Sequence, residues 1–256
     1  SVDIKQAGYQ NIKVFNIPDY GVDEVADHAL AMILNLSRFI NGNDEILKKE
    51  YKENEIKWLY DQNKNQKRLK DLSLGIIGLG RIGTALAERS KSIFKNILFY
   101  DPLKEDGYDK ALGIKKEEKL INLFKNSDVI SLHAPSTEKN KFFLEEKLFK
   151  ILNKPIIFVN TSRGDLVKNS ILAKYFKSGK IRGLGLDVFN KEPPQKKDAL
   201  TKIWEDKQNI GRIIFTPHVA FYSTEALNEI RFKGVTTIKK FFENKKIKNC
   251  INTKYL

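Results

Sequence analysis

Cysteine is nearly missing from this chain. Its 256 residues include one, Cys250, so an internal disulfide and the disulfide-framed secreted class are excluded. No uninterrupted apolar run reaches membrane-spanning length, and the N-terminal SVDIKQAGYQ lacks the apolar core of a secretory signal. These absences point to a reducing, cytoplasmic setting. Arginine is scarce too, 8 residues against 38 lysines, although the formal net charge is +14. Phosphate forks and base edges favour arginine. The lysines instead run from Lys5 to Lys254 among Glu and Asn, as in EILKKEYKENE. The charge therefore reads as a solvated surface, and nucleic acid is not the expected partner. What is plentiful is apolar sequence: 41% hydrophobic residues suffice for one large domain or two ordinary ones.

That apolar content is rhythmic. Short β-rich runs stand at 74–77, 97–100, 129–132, 156–159, 183–186 and 213–215. Helix-length amphipathic stretches separate the first five: RIGTALAERSKSIF, EEKLINLFKNS, EEKLFKILN and KNSILAKYFKSG. Continuous apolar strands alternating with helices indicate a parallel sheet covered on both faces. The expected fold is α/β, a doubly wound, Rossmann-type sheet of six strands over residues 21–221. Three segments lie outside the rhythm. Residues 23–41 predict one helix apolar almost all round, hence buried on every side in a core or a subunit interface. Residues 42–70 are very polar and read as an exposed arm. The stretch STEALNEIRFKGVTTIKKFFEN, 223–244, predicts a closing helix.

Immediately after the first run stands Gly78-Leu79-Gly80-Arg81-Ile82-Gly83. In such a GxGxxG loop one glycine makes a tight turn and the next lets backbone approach a pyrophosphate. The third lets helix and strand pack closely, and the helix N-terminus offers free N–H groups. Strand before, helix after, and Asp101 closing the second strand make this a dinucleotide-binding motif. The Asp101 carboxylate accepts from a ribose 2′-hydroxyl and repels a 2′-phosphate, so NAD is expected rather than NADP.

In open α/β sheets ligands sit beyond the carboxyl ends of the strands. The six runs deliver Gly78, Asp101, His133, Thr161-Ser162-Arg163, Asp187 and His218 to those ends. His28, inside the apolar helix, reads instead as a satisfied structural residue. Hydride transfer to or from a 2-keto or 2-hydroxy acid needs a planar cation for the carboxylate, which Arg163 can be. It needs an acid/base titrating near neutrality, which suits His218. It also needs a carboxylate to hold the imidazole, and Glu192 is available. Nicotinamide carries the hydride, so no metal is required. Spacing alone leaves plainer alternatives open: a surface ion pair for Arg163 and a loop carboxylate for Glu192.

At VNTSRGDLV, GLDVFNKEPP and TPHVAFYS the sequence resembles the D-isomer-specific 2-hydroxyacid dehydrogenase family. GLGRIG and VDEVADHALAMILNLSR fit as well. Within the family the likeness is greatest to the C-terminal-binding-protein branch, through LFYDPLKEDGYDKALGI, HVAFYS and KNCIN. The resemblance implies Arg163 as ligand of the substrate carboxylate and carbonyl, Glu192 as the histidine's partner and His218 as acid/base. It implies Gly80, Arg81 and Ile82 at the pyrophosphate, Asp101 at the adenosine ribose and Asp187 near the nicotinamide amide. His133, Thr161 and Ser162 would line the cofactor cleft. A homodimer built by 23–41 and the arm follows from the same likeness, as does a flavodoxin-like substrate domain represented only by 1–20 and 222–256. The missing initiator Met and the short N-terminal part make the chain look truncated. Two other functions stay open: an NAD-regulated dimeric interaction protein of corepressor type, and an NAD-binding fragment with little activity.

Overall fold

Residues 2–60, 66–244 and 249–256 are described by a computed structural model. Residues 61–65 of the expected arm and 245–248 of the closing segment, including the lysine of KNCIN, lie outside the described residues. Along the chain the elements are α1 (Ile4–Tyr9), α2 (Val22–Arg38), α3 (Ile40–Glu53), β1 (Ser73–Ile77), α4 (Arg81–Ser90), β2 (Asn96–Tyr100), α5 (Tyr108–Leu112), β3 (Lys115–Lys116), α6 (Leu120–Asn126), β4 (Val129–Leu132), α7 (Glu146–Lys150), β5 (Ile156–Asn160), α8 (Asn169–Lys177), β6 (Ile181–Leu186), α9 (Ala199–Glu205), β7 (Ile213–Phe215) and α10 (Thr224–Asn244). They form two units, 1–24 with 221–256, and 25–220.

The larger unit carries one all-parallel sheet in the order β3-β2-β1-β4-β5-β6-β7. The chain winds outward from β1 in one direction and then from β4 in the other, the doubly wound Rossmann plan. Strand pleating explains the uninterrupted apolar runs. Ile156 and Phe158 of β5 enter one buried cluster, with Leu123, Phe149 and Phe176 from the helices on that face. Ile157 and Val159 enter the other, with Ile33, Leu36 and Leu86. Both faces are buried, so no position along the strand can be polar without a partner. The sheet has seven strands where six were expected. The seventh, β3, is the dipeptide Lys115–Lys116 paired to Leu98 and Phe99, and two lysines carry no apolar signal.

Residues 23–41 are not one continuous helix. The helix ends at Arg38, and Phe39 turns left-handed at φ 55° before α3 begins. Its ring lies over Gly42, where an added Cβ would fall 2.3 Å from the ring. Only one stripe of α2 is buried (Val25, Ala26, Ala29, Met32, Ile33, Leu36), while Asp27 and Ala31 are exposed. Gly183 and Gly185 of β6 let Leu36 and Met32 approach the sheet closely. The first part of the polar arm is also structured, as α3, with Lys48 bridging Asp44 and Glu45 along the helix. Polarity marked exposure correctly there but concealed a helix.

In the smaller unit the closing helix forms as expected, as α10. Phe15 bridges Cys250 in antiparallel fashion, and its ring lies tilted against that of Phe241, with centroids 5.5 Å apart. Buried Asn252 ties this unit through its side chain, accepting from the Val14 N–H at 3.0 Å and donating to the Ile12 carbonyl at 2.9 Å.

Candidate active site

Strand register assembles the site. Tyr100 pairs with Ile77, Ile77 with Leu132, Leu132 with Asn160, Asn160 with Leu186, and Leu186 with Phe215. These six residues form one row across the sheet. The next residue on each strand is Asp101, Gly78, His133, Thr161, Asp187 or Thr216, all at the carboxyl edge. Convergence of the predicted positions is therefore a consequence of parallel strands in register.

The glycines of the loop have three distinct reasons. Gly78 turns at φ +92°, and a Cβ there would lie 2.7 Å from the Ala134 nitrogen. At Gly83 a Cβ would come within 2.1 Å of the Gly78 carbonyl oxygen, so helix and strand could not close together. Gly80 differs: a Cβ would meet nothing within 4 Å. Its backbone conformation also suits any residue. The chain itself gives no reason for glycine there, and close approach of a bound group does. Gly80, the N-cap residue of α4, has no side chain with which to cap it. Asp101 is fixed beside the loop, Oδ2 accepting from the Leu79 N–H at 2.8 Å and Oδ1 from the Leu103 N–H at 2.9 Å.

Next along the edge is His133, buried, with Nε2 at 2.8 Å from the Ser131 hydroxyl. Burial pushes its pKa down to about 4, so the ring is neutral near pH 7. Its Nδ1 and the Thr161 hydroxyl are buried polar atoms with no partner among the described residues. Such atoms are rare in folded chains and mark places where another group belongs. An open glycine, an uncapped helix start, a fixed carboxylate and two orphaned polar atoms fit a dinucleotide.

The other end of the row is held by side chains. Asn160 accepts from the Ser162 N–H and hydroxyl, both at 3.0 Å, and donates to the Arg163 carbonyl at 2.9 Å. Arg163 is exposed and donates to the Ser162 carbonyl at 2.6 Å. Among the described residues no contact joins its guanidinium to Glu192 or His218. The loops bearing them are nevertheless sewn together. Asn190 donates to the Val167 carbonyl at 2.7 Å, and a Cβ on Gly164 would strike the Phe189 carbonyl at 2.0 Å. Glu192 and His218 do meet: Glu192 Oε2 lies 2.7 Å from His218 Nδ1, and Oε1 accepts from the Phe189 N–H at 3.0 Å. His218 itself is left-handed at φ 54°, which costs on the order of 1 kcal/mol and recurs where function demands a fixed side chain.

Buried Asp187 offsets that strain. Its carbonyl accepts from the His218 N–H at 2.9 Å. Its carboxylate accepts from the Thr216 hydroxyl at 2.5 Å, the Val219 N–H at 2.9 Å and the Ala220 N–H at 3.0 Å. Sequence reasoning assigns no role to Asn160, Asn190 or Thr216, although each stands in one of the motifs. An asparagine ending an apolar strand, with polar residues just after it, was the available signal.

Among the described residues no helix is long and apolar enough to cross a membrane, and no cluster of His, Cys, Asp or Glu could hold a metal. The sequence profile of the "D-isomer specific 2-hydroxyacid dehydrogenase, NAD binding domain" matches residues 30–220. A glyoxylate reductase of Korarchaeum cryptofilum is 33% identical over 228 residues, 88% of this chain. The chain spans 64% of that relative's length, which is less than two thirds. A glyoxylate reductase of Pyrococcus furiosus is 30% identical over 244 residues, 94% of this chain and 70% of the relative. Among solved structures, D-lactate dehydrogenase of Aquifex aeolicus complexed with NAD and lactic acid is similar, with a TM-score of 0.81 at 30% identity, over 100% of this chain and 74% of that one.

Proposed function

The chain belongs to the D-isomer-specific 2-hydroxyacid dehydrogenase family and its cofactor is NAD; from this premise we propose that it serves the interconversion of a small 2-keto acid and its D-2-hydroxy acid. The observation that carries the reading is the 2.7 Å contact of Glu192 with His218 Nδ1, at the carboxyl edge that also bears the glycine loop. Bound as NADH, the cofactor supplies the hydride that the keto carbon receives. His218 presents Nε2 to the carbonyl oxygen and donates its proton there; in the reverse direction Nε2 takes the hydroxyl proton back. Glu192, fixed by the Phe189 N–H, sets the ring's orientation and stabilises the imidazolium. The Arg163 fork binds the substrate carboxylate and polarises the carbonyl.

On the cofactor side, the N–H groups of Gly80, Arg81 and Ile82 would hold the pyrophosphate, within the loop framed by Gly78 and Gly83. Asp101 would accept from the adenosine ribose. His133, Thr161 and Ser162 line the cleft, where the neutral His133 Nδ1 and the Thr161 hydroxyl gain partners. A carboxylate has about four acceptor positions and three on Asp187 are taken, so one is left for the nicotinamide amide. Glyoxylate and lactic acid, named for the relatives, support a small keto acid as the substrate class. A homodimer through 23–41 and the arm is part of the same reading, supported by the exposed Trp58, Leu59 and Tyr60. Sedimentation checks it, and a monomer at all concentrations would remove it.

The decisive assay follows NADH oxidation with glyoxylate, pyruvate, hydroxypyruvate and larger keto acids. Turnover is expected on a small member of the series, and His218→Ala is expected to lower kcat about a thousandfold with NADH binding kept. Absence of turnover on all of them, or full activity in His218→Ala, would sink the reading.

A further inference from the structure

His28 lies in α2, 190 residues before His218 in sequence, and the proposed reaction gives it no task. Its Nε2 stands 3.1 Å from the Thr216 hydroxyl oxygen. That hydroxyl has a single hydrogen, and the Asp187 carboxylate oxygen lies 2.5 Å away. The other two partners of the carboxylate are the N–H groups of Val219 and Ala220, so Asp187 acts there only as an acceptor. The Thr216 hydrogen therefore points to Asp187, and the Thr216 oxygen is left to accept. Only an Nε2–H on His28 completes the pair.

We propose that His28 is a positioning residue for the acid/base His218, donating from Nε2 through Thr216 to Asp187 and so fixing the left-handed turn that presents the catalytic ring. The route is short. Asp187 holds the residues on both sides of the turn, Thr216 and Val219, and its carbonyl takes the His218 N–H. Without the His28 donor, Thr216 can turn its hydroxyl elsewhere and the loop loses a side-chain tie on its N-terminal side. A left-handed non-glycine residue persists only where its surroundings over-determine it. The inference rests on the reaction proposed above for what the positioning achieves, while the tether itself rests on the geometry alone.

With three histidines in the chain, nitrogen-15 spectra of the labelled protein can follow each ring. At neutral pH His28 is expected to carry hydrogen on Nε2, and His28→Leu is expected to move the His218 ring signals. The same variant should lower kcat about tenfold with KM nearly unchanged, the loss expected for one part-buried hydrogen bond in the support of a catalytic group. His28→Gln keeps an N–H donor at similar reach and should recover both readings; Thr216→Val should reproduce the loss. A neutral His28 ring protonated only on Nδ1 overturns the proposal, and that test needs no variant to fold. So does a folded His28→Leu protein with unchanged His218 signals. The ring measurements require no turnover: inactivity on every keto acid would remove the reaction and leave the tether, whereas unmoved His218 signals would remove the tether and leave the reaction.

Discussion

On the β1–β2 side of the carboxyl edge, backbone meets backbone: Gly78 against Ala134, and Gly83 against the Gly78 carbonyl. On the β5–β6–β7 side the loops are joined by side chains, with Asn190, Glu192 and Asp187 each reaching across to a neighbour while Asn160 braces its own loop. The first half is specified by the absence of atoms; the second adds the direction of hydrogen bonds to a single such approach, that of Gly164 to Phe189. A dinucleotide's phosphates need backbone N–H groups and room. An acid/base imidazole needs one orientation, which room cannot supply.

The largest expected effect tests the steric half. Gly83→Val drives a side chain into the Gly78 carbonyl, and a stability loss of about 4 kcal/mol with loss of NADH binding is expected, read by thermal unfolding and NADH fluorescence. Native stability in that variant would show that the loop can open, and would break the comparison. Next, Glu192→Gln should lower kcat about a hundredfold while the unfolding midpoint hardly moves, because both partners are partly exposed. Equal losses of stability and kcat would make Glu192 a structural residue.

His133 stands between the halves and offers a pH test of similar size. Its pKa is depressed from 6.5 to about 4 by burial, so the unfolded chain binds the proton more readily than the folded one. The neutral ring's contribution is complete above pH 6.5 and is lost as the pH falls from there through about 4, to a total of about 3 kcal/mol. Urea unfolding at pH 7 and 4.5 should therefore show a larger acid loss in the native sequence than in His133→Gln. Identical losses would mean that the ring is protonated in place. The smallest effect belongs to Gly80→Ala. Stability should stay within about 0.5 kcal/mol, since the new Cβ meets nothing, while NADH binding weakens about tenfold. Unchanged affinity would separate Gly80 from the pyrophosphate seat.

The steric half was the more readable one. Missing side chains at three spaced positions leave a mark in sequence that survives without knowledge of the partner atoms. The ends of β1, β2, β4, β5, β6 and β7 were readable as well, because burial on both faces demands unbroken apolar runs. Where burial was not the cause, the reading weakened. Lys115–Lys116 pairs through backbone alone, and α3 is a polar helix held by its own charges. The turn at Phe39 depends on a ring finding Gly42. His28 was recognised as satisfied, but nothing in the sequence names Thr216 as its partner.

By itself the sequence determined the doubly wound sheet, the dinucleotide loop and the residue types delivered to the carboxyl edge, because periodicity, glycine spacing and strand ends are local properties of the chain. Tertiary structure alone decided which side chains face each other there. The family resemblance already assigns Glu192 to His218, but the three donors on Asp187 and the link from His28 to Thr216 span 29 to 188 positions. Contacts of that separation exist only once the strands lie in register, and no local pattern encodes them.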